Sequence, residues 1–179
     1  MTLPCGLAVT LSAMTNWQSL GEQWRDLEAR ADASFFQSWS WIGCLGPERY
    51  SDPLIVTARR DGRIIALGLF NRHRGWVHET LWLHESGNPE YDAVFIEHNG
   101  LLVEAVVVGA DAAEATDALR AACLTKARYG ALPAMRPGRR LVLSGVGSAH
   151  LGTAAAIATV SRLTTRVAPA VDLTALRRD

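Results

Sequence analysis

Leu54-Ile55-Val56-Thr57-Ala58 is apolar and rich in β-branched residues, and Arg63-Ile64-Ile65-Ala66-Leu67-Gly68-Leu69-Phe70 resumes the pattern after Asp61-Gly62. Asp-Gly supplies the two positive φ angles that a two-residue hairpin turn requires, so this stretch predicts a pair of antiparallel strands and rules out an all-helical chain. Before it the period is that of a helix. Trp17, Leu20, Trp24, Leu27 and Ala31 recur at intervals of three and four, predicting a helix capped by Thr15 or Asn16 and running to about Ala31. A second helix is expected from Ser34 through Trp39, Trp41, Ile42 and Leu45 to Gly46-Pro47, because proline disfavours helical geometry in the residue before it.

Downstream, Glu79–His84 and Asp92–Glu97 read as third and fourth strands of a meander joined by the loop Glu85–Tyr91. Ala112–Tyr129 reads as a helix with Ala115, Ala118, Leu119, Ala122 and Cys123 on one face and Gly130 as its stop. Leu141–Ser144 is a further strand, Gly145–Thr159 a helix of small residues and Arg162–Leu173 a last strand. Met1–Thr10 is either a first strand or a loose terminus. With no repeat, low-complexity tract or linker, residues 1–179 are expected to form one α/β domain. A chain of this length buries roughly two-thirds of its unfolded surface and needs no disulfide or metal for stability.

Lys plus Arg and Asp plus Glu both number 18, so no net field steers the chain to nucleic acid or anionic lipid. Cys5, Cys44 and Cys123 are odd in number, scattered and in apolar company, which points to reduced thiols in a cytoplasmic protein. The opening lacks the basic region of a secretory signal, and the apolar stretch Leu101–Ala110 is too short to span a bilayer, so no membrane span is expected.

Motifs for chemistry are sparse. Gly145-x-Gly147 lacks the third glycine of a dinucleotide fingerprint and the lysine of a P-loop, so a turn is preferred over a phosphate site. The histidines at 73, 78, 84, 98 and 150 form no i, i+4 pair and no Cys/His cluster, which leaves them as lone surface residues and gives no metal geometry. No serine stands in a G-x-S-x-G elbow. Arg136, Arg139 and Arg140 read as a solvated basic turn. Two polar groups occur at strand ends, Glu85–Asp92 and Glu97-His98-Asn99-Gly100. If the third and fourth strands pair, these groups lie at opposite ends of the sheet and need not share a site. A carboxylate beside an imidazole can tune a general base, while exposed loop polarity accounts for the same residues.

The aromatic block Phe35-Phe36-Gln37-Ser38-Trp39-Ser40-Trp41 remains. Burying one such ring stabilises a fold by roughly 1.5–3 kcal/mol, so anchoring a helix to a sheet is one sufficient reason for it. Taken with the preceding helix, the Asp61-Gly62 hairpin, Trp82-Leu83-His84-Glu85-Ser86-Gly87 and Tyr91-Asp92, it resembles the N-terminal half of the CelD/BcsL-like acyltransferases, the FemAB-like branch of the GNAT superfamily. Phe35, Trp39 and Trp41 match the family's aromatic helix, and Tyr91-Asp92 its loop before the next strand.

The resemblance implies a GNAT-like, mixed and mainly antiparallel sheet flanked by helices, and acetyl-CoA or another acyl-CoA as co-substrate for transfer to an amine or hydroxyl. It implies that this half shapes the acceptor side of the cleft, with Trp39, Trp41, Tyr91, Asp92, Glu97 and His98 as its wall. A small-molecule or glycan acceptor, and a second GNAT half or a second copy of the chain, are the implied partners. The pyrophosphate loop of typical GNAT domains is not found, so no catalytic residue and no CoA ligand carries over. Ala168–Leu173 is similar to the segment leading into a second half, so a half without its own turnover is expected. A binding or assembly module that docks a catalytic partner or dimerises is the alternative, and a complete minimal GNAT enzyme, with CoA in a splayed strand pair, is a third reading.

Overall fold

A computed structural model of the chain describes residues 6–76, 78–93, 96–105, 112–130 and 139–147. Six strands and three α-helices follow in the order β1 (Leu7–Ala13), α1 (Trp17–Glu28), α2 (Trp39–Arg49), β2 (Pro53–Arg60), β3 (Arg63–Arg74), β4 (Glu79–Leu83), β5 (Leu102–Val103), α3 (Ala112–Tyr129) and β6 (Arg140–Val142). The fold is a mixed α/β arrangement whose sheet runs β1-β2-β3-β4-β6, antiparallel up to β4 and parallel between β4 and β6. Strand β5 pairs with β3 at Ala66 and Leu67, beyond the stretch that β4 covers. Among the described residues no helix is long and apolar enough to cross a membrane.

The hairpin forms as its sequence demands, with Asp61 at φ 50° and Gly62 at φ 82° linking Arg60 to Arg63. An irregularity follows at once, since Ala58 faces Ala66 and Arg59 faces Ile64, leaving Ile65 as an extra residue. A bulge of this kind switches the alternation of faces. Ile64 therefore joins Leu67 and Leu69 on one side of β3, while Ile65, Ala66 and Phe70 face the other. Both sides are covered, and Ile64 to Asn71 are all buried. One core unites Leu20, Trp24, Leu27 and Ile42 of α1 and α2 with Leu67, Leu69 and Leu102, and the other packs Leu119, Cys123, Leu124 and Ala127 of α3 on Val56, Phe70, Leu81 and Leu83.

Asn16 caps α1 by accepting from the Ser19 N–H at 2.9 Å. That helix stops at Glu28, before the expected Ala31, because Ala31 instead bridges Glu104. The aromatic block does not form one helix. Ser34 opens a short 3-10 turn, Phe35–Gln37, then Ser38 turns extended and caps α2 by accepting from Trp41 N–H at 3.2 Å. Buried Gln37 holds the break, accepting from Ser34 N–H and donating to Leu101 O. At its far end α2 runs through Pro47 to Arg49, past the expected stop, with Tyr50 in the core and its N–H on Gly46 O. Glycines let α1 and α2 approach closely: a Cβ on Gly21 would stand 2.7 Å from the Trp39 ring, and one on Gly46 2.3 Å from that of Trp17.

Two expectations are corrected. No strand is found among the described residues of 92–97. The Asp92 carboxylate takes the N–H groups of Ser86 and Gly87 and the Ser86 hydroxyl, and the Tyr91 and Asp92 N–H groups both turn back to Asn88 O, so the chain is committed to a turn. Arg139 is no solvated turn residue. It is fully buried, pairs with Glu79 at 2.8 Å and donates to the carbonyls of Ala127 and Gly130, fastening α3 to β4 and β6, whereas Arg140 is exposed and Arg136 lies outside the described residues. The chain turns at Ser144-Gly145, Val146 forms an isolated bridge with Asn99, and the rest of the expected 145–159 helix and the 162–173 strand also lie outside the described residues.

Candidate functional site

Strands β4 and β6 pair only from Thr80/Arg140 to Trp82/Val142. Just past that point Asn99 bridges the two chains. Its Nδ2 donates to Leu83 O and to Ser144 O, each at 3.0 Å, and its backbone N–H donates to Gly145 O at 2.8 Å. The loop from His84 to Leu101 therefore folds back onto the end of β4. Asn99, expected at the opposite end of the sheet from 85–92, is thus brought to the end of β4 beside His84, while Glu97 and His98 are not.

Asn99 also fixes the imidazole of His84. With Nδ2 spent on two carbonyls and Oδ1 already accepting from Gly100 N–H, the 2.9 Å contact between Oδ1 and His84 Nδ1 requires the proton on Nδ1. Nε2 then carries a lone pair. It is buried and has no hydrogen-bond partner, in a side chain only 3% exposed. Burial lowers the pKa to about 4 against the opposing Asn99 bond, so the ring is neutral at pH 7. His84 also stands at φ 56°, a left-handed conformation in which a non-glycine residue is uncommon. It had read as a surface histidine and is the reverse.

The ring of His84 lines a recess with Trp41, Leu45, Arg49 and Tyr50 from α2 and its end, and with Glu85, Ser86, Tyr91, Asp92 and Ile96 from the loop. The recess is partly open to solvent, and the space in it is about 20 Å³, enough for one water-sized group. Trp41 Nε1–H is likewise buried and unpartnered. Phe35 and Phe36 pack on the Trp41 ring at 5.5 and 5.1 Å. At the rim stands Tyr91, 49% exposed, with the Arg49 guanidinium 5.5 Å over its ring and donating to its carbonyl.

Two carboxylates face this region. Glu85 accepts from the Ser144 hydroxyl at 2.6 Å, and burial, aided by the charge of Asp92, raises its pKa in spite of that bond. Burial and then the charges of Asp92 and Glu85 raise the pKa of the Tyr50 phenol, keeping it protonated. Ser86 and Ser144 spend their hydroxyls on Asp92 and Glu85, and Ser86 Oγ accepts from Asn88 N–H, so both hold the loop.

Of the six residues expected to form the wall, Trp41, Tyr91 and Asp92 meet at this recess. Trp39 is wedged between α1 and α2, 6.5 Å from Trp17 and 6.3 Å from Trp24, with Arg25 over its ring. Glu97 is exposed and lines neither opening. His98 lines a second, wider cleft of about 340 Å³ with Asp32, Ser34, Gln37 and Arg120, where Ser34 and Gln37 already serve the backbone at His98 and Leu101. Sequence reasoning read His84 as a lone surface residue, and named Glu85 and Asn99 in the two polar groups without placing them in the wall. The signal present was a His-Glu pair directly after a strand. Among the described residues no group of three or more His, Cys, Asp or Glu side chains is placed to hold a metal ion. No family model matches the sequence, and no curated protein matches it.

Proposed function

We propose that this chain is a GNAT-like acyltransferase domain forming the acceptor side of a site that moves an acyl group from acyl-CoA to a hydroxyl or amine. One observation carries the reading. The antiparallel meander ends in a parallel pair, β4 and β6, that parts after three residues, and the aromatic helix α2 delivers Trp41 to a recess beside that parting. A mixed, mainly antiparallel sheet flanked by helices is what the resemblance implies, and a splayed strand pair is what a complete minimal GNAT enzyme would add to it. In such a transfer the enzyme orients the acceptor against the thioester and accepts its proton, and a neutral imidazole lone pair beside an indole N–H suits the acceptor's side of that encounter.

The test is incubation of the purified chain with acetyl-CoA and a panel of alcohols and amines, with product read by mass spectrometry and donor binding by calorimetry. An acylated product that is lost in Trp41→Ala supports the reading. No product, together with no heat of acetyl-CoA binding at two temperatures, overturns transfer by this chain alone.

A second reading is favoured by Asn99, which fills the space between the parting strands and bonds both. A domain plugged in this way would leave the donor to a partner, a second GNAT half or a second copy, and act as a binding or assembly module. Sedimentation of a plain monomer over the whole accessible concentration range would count against dimerisation.

A further inference from the structure

Two polar atoms at the same recess lack partners, and they are of opposite kind. His84 Nε2 is an acceptor, its protonation fixed by the four hydrogen bonds of the Asn99 side chain, and Trp41 Nε1–H is a donor. His84 and Trp41 both line the recess and Asn99, which holds Nδ1, does not. A buried polar atom left unpaired is costly, and here two residues carrying such atoms line one space of about 20 Å³.

We infer that this recess is a hydroxyl-binding subsite, in which a ligand O–H donates to Nε2 of His84 while the same oxygen accepts from Nε1–H of Trp41. A group that satisfies both atoms must donate and accept through one small centre. An ammonium donates but has no lone pair for Trp41. A carboxylate offers no proton to His84 and meets Glu85 and Asp92 nearby. An alcohol does both, with its carbon directed to the rim at Tyr91. The space is too small for the whole ligand, so the rest of the molecule lies outside, against Tyr91 and Arg49. Binding of the hydroxyl stands on its own. That it is the acyl acceptor rests on the function proposed above.

The probes are methanol, ethanol and ethylene glycol, with acetate and methylammonium as mismatched partners, titrated into the full chain and followed by ¹H–¹⁵N spectra of the indole N–H groups and imidazole nitrogens. Trp82 is the internal control, since its Nε1–H is also buried and unpartnered yet does not line the recess. The expected result is a saturable shift of Trp41 Nε1–H and His84 Nε2 with the alcohols alone, Trp82 staying still. Trp41→Phe, which keeps an aromatic ring and removes the donor, should weaken alcohol binding read at His84 about three- to tenfold, the worth of one hydrogen bond.

Linear shifts shared by Trp41 and Trp82 would overturn the inference, and so would a response to acetate as strong as that to ethanol. An unmoved Trp41 would mean that the recess holds water only, and would overturn it as well. Saturable alcohol binding without any acyl product would leave the subsite standing and remove the acyltransfer reading. Acyl product with a silent Trp41 would do the opposite.

Discussion

Lowering the pH through the range between about 6.5 and 4 should destabilise this protein through one side chain. His84 ionises near 6.5 when free and only at about 4 in the fold, because burial penalises the imidazolium. Within that range the unfolded chain binds a proton that the folded chain refuses, so stability rises with pH; it is complete above about 6.5 and lost as pH falls toward 4. A difference of about 2.5 units at 1.36 kcal/mol each comes to roughly 3 kcal/mol, a large share of the about 5–15 kcal/mol that holds a domain. Glu85 acts in the opposite sense, since its raised pKa contributes stability at low pH that is lost as pH rises, so the total slope does not isolate the histidine. His84→Asn does. Asparagine tolerates the left-handed backbone at this position and can place an amide N–H where Nδ1–H now meets Asn99, and it does not titrate. Urea unfolding of both proteins near pH 7 and near pH 4 gives four free energies. The wild type should lose about 3 kcal/mol more than the variant on acidification. A gap between the two that stays constant within about 0.5 kcal/mol would refute the burial argument and mean that the imidazole reaches solvent.

Three substitutions probe the frame around the recess. Asn99→Ala removes the side-chain partner of Leu83 O, Ser144 O, His84 Nδ1–H and Gly100 N–H at once, and should cost on the order of 3 kcal/mol in urea unfolding while broadening the His84 imidazole signals. Gly145→Ala places a Cβ 1.9 Å from Ile96 O on a backbone at φ 64°; about 1 kcal/mol for the left-handed residue and about 2 for overpacking predict a clear fall in Tm, and an unchanged Tm would show that the Ile96 segment is free to move away. Arg139→Leu removes the buried Arg139–Glu79 ion pair and should cost about 3–5 kcal/mol, much of it recovered when Glu79→Leu is added; equal losses in the single and double variants would show that the ion pair is not what the site depends on.

The parts of this fold that the sequence spells locally are the parts it makes plain. Asp61-Gly62 carries its turn in two residues, Asn16 its cap in one, and the stripe from Trp17 to Leu27 its buried face in three turns of helix. Each depends on neighbours no more than four positions away. The aromatic block already blurs this, because its break at Ser38 is held by Gln37 bonding Leu101, 64 residues later. The same distance problem governs the site. Trp41 was legible as an aromatic on a helix and Tyr91 and Asp92 as large or charged groups in a polar loop, but nothing near His84 says that it is buried, and its lone pair is set by Asn99, which must first return to the end of β4 and find Ser144 on β6's continuation. The apolar run within 92–97 argued for a strand, and the three hydrogen bonds of the Asp92 carboxylate hold its start in a turn instead. With a turn at Asp92, Asn99 reaches the imidazole from a position expected at the far end of the sheet. The chemistry of the recess is therefore a consequence of topology, in which a carboxylate that ends a loop decides which nitrogen of a histidine is left without its proton.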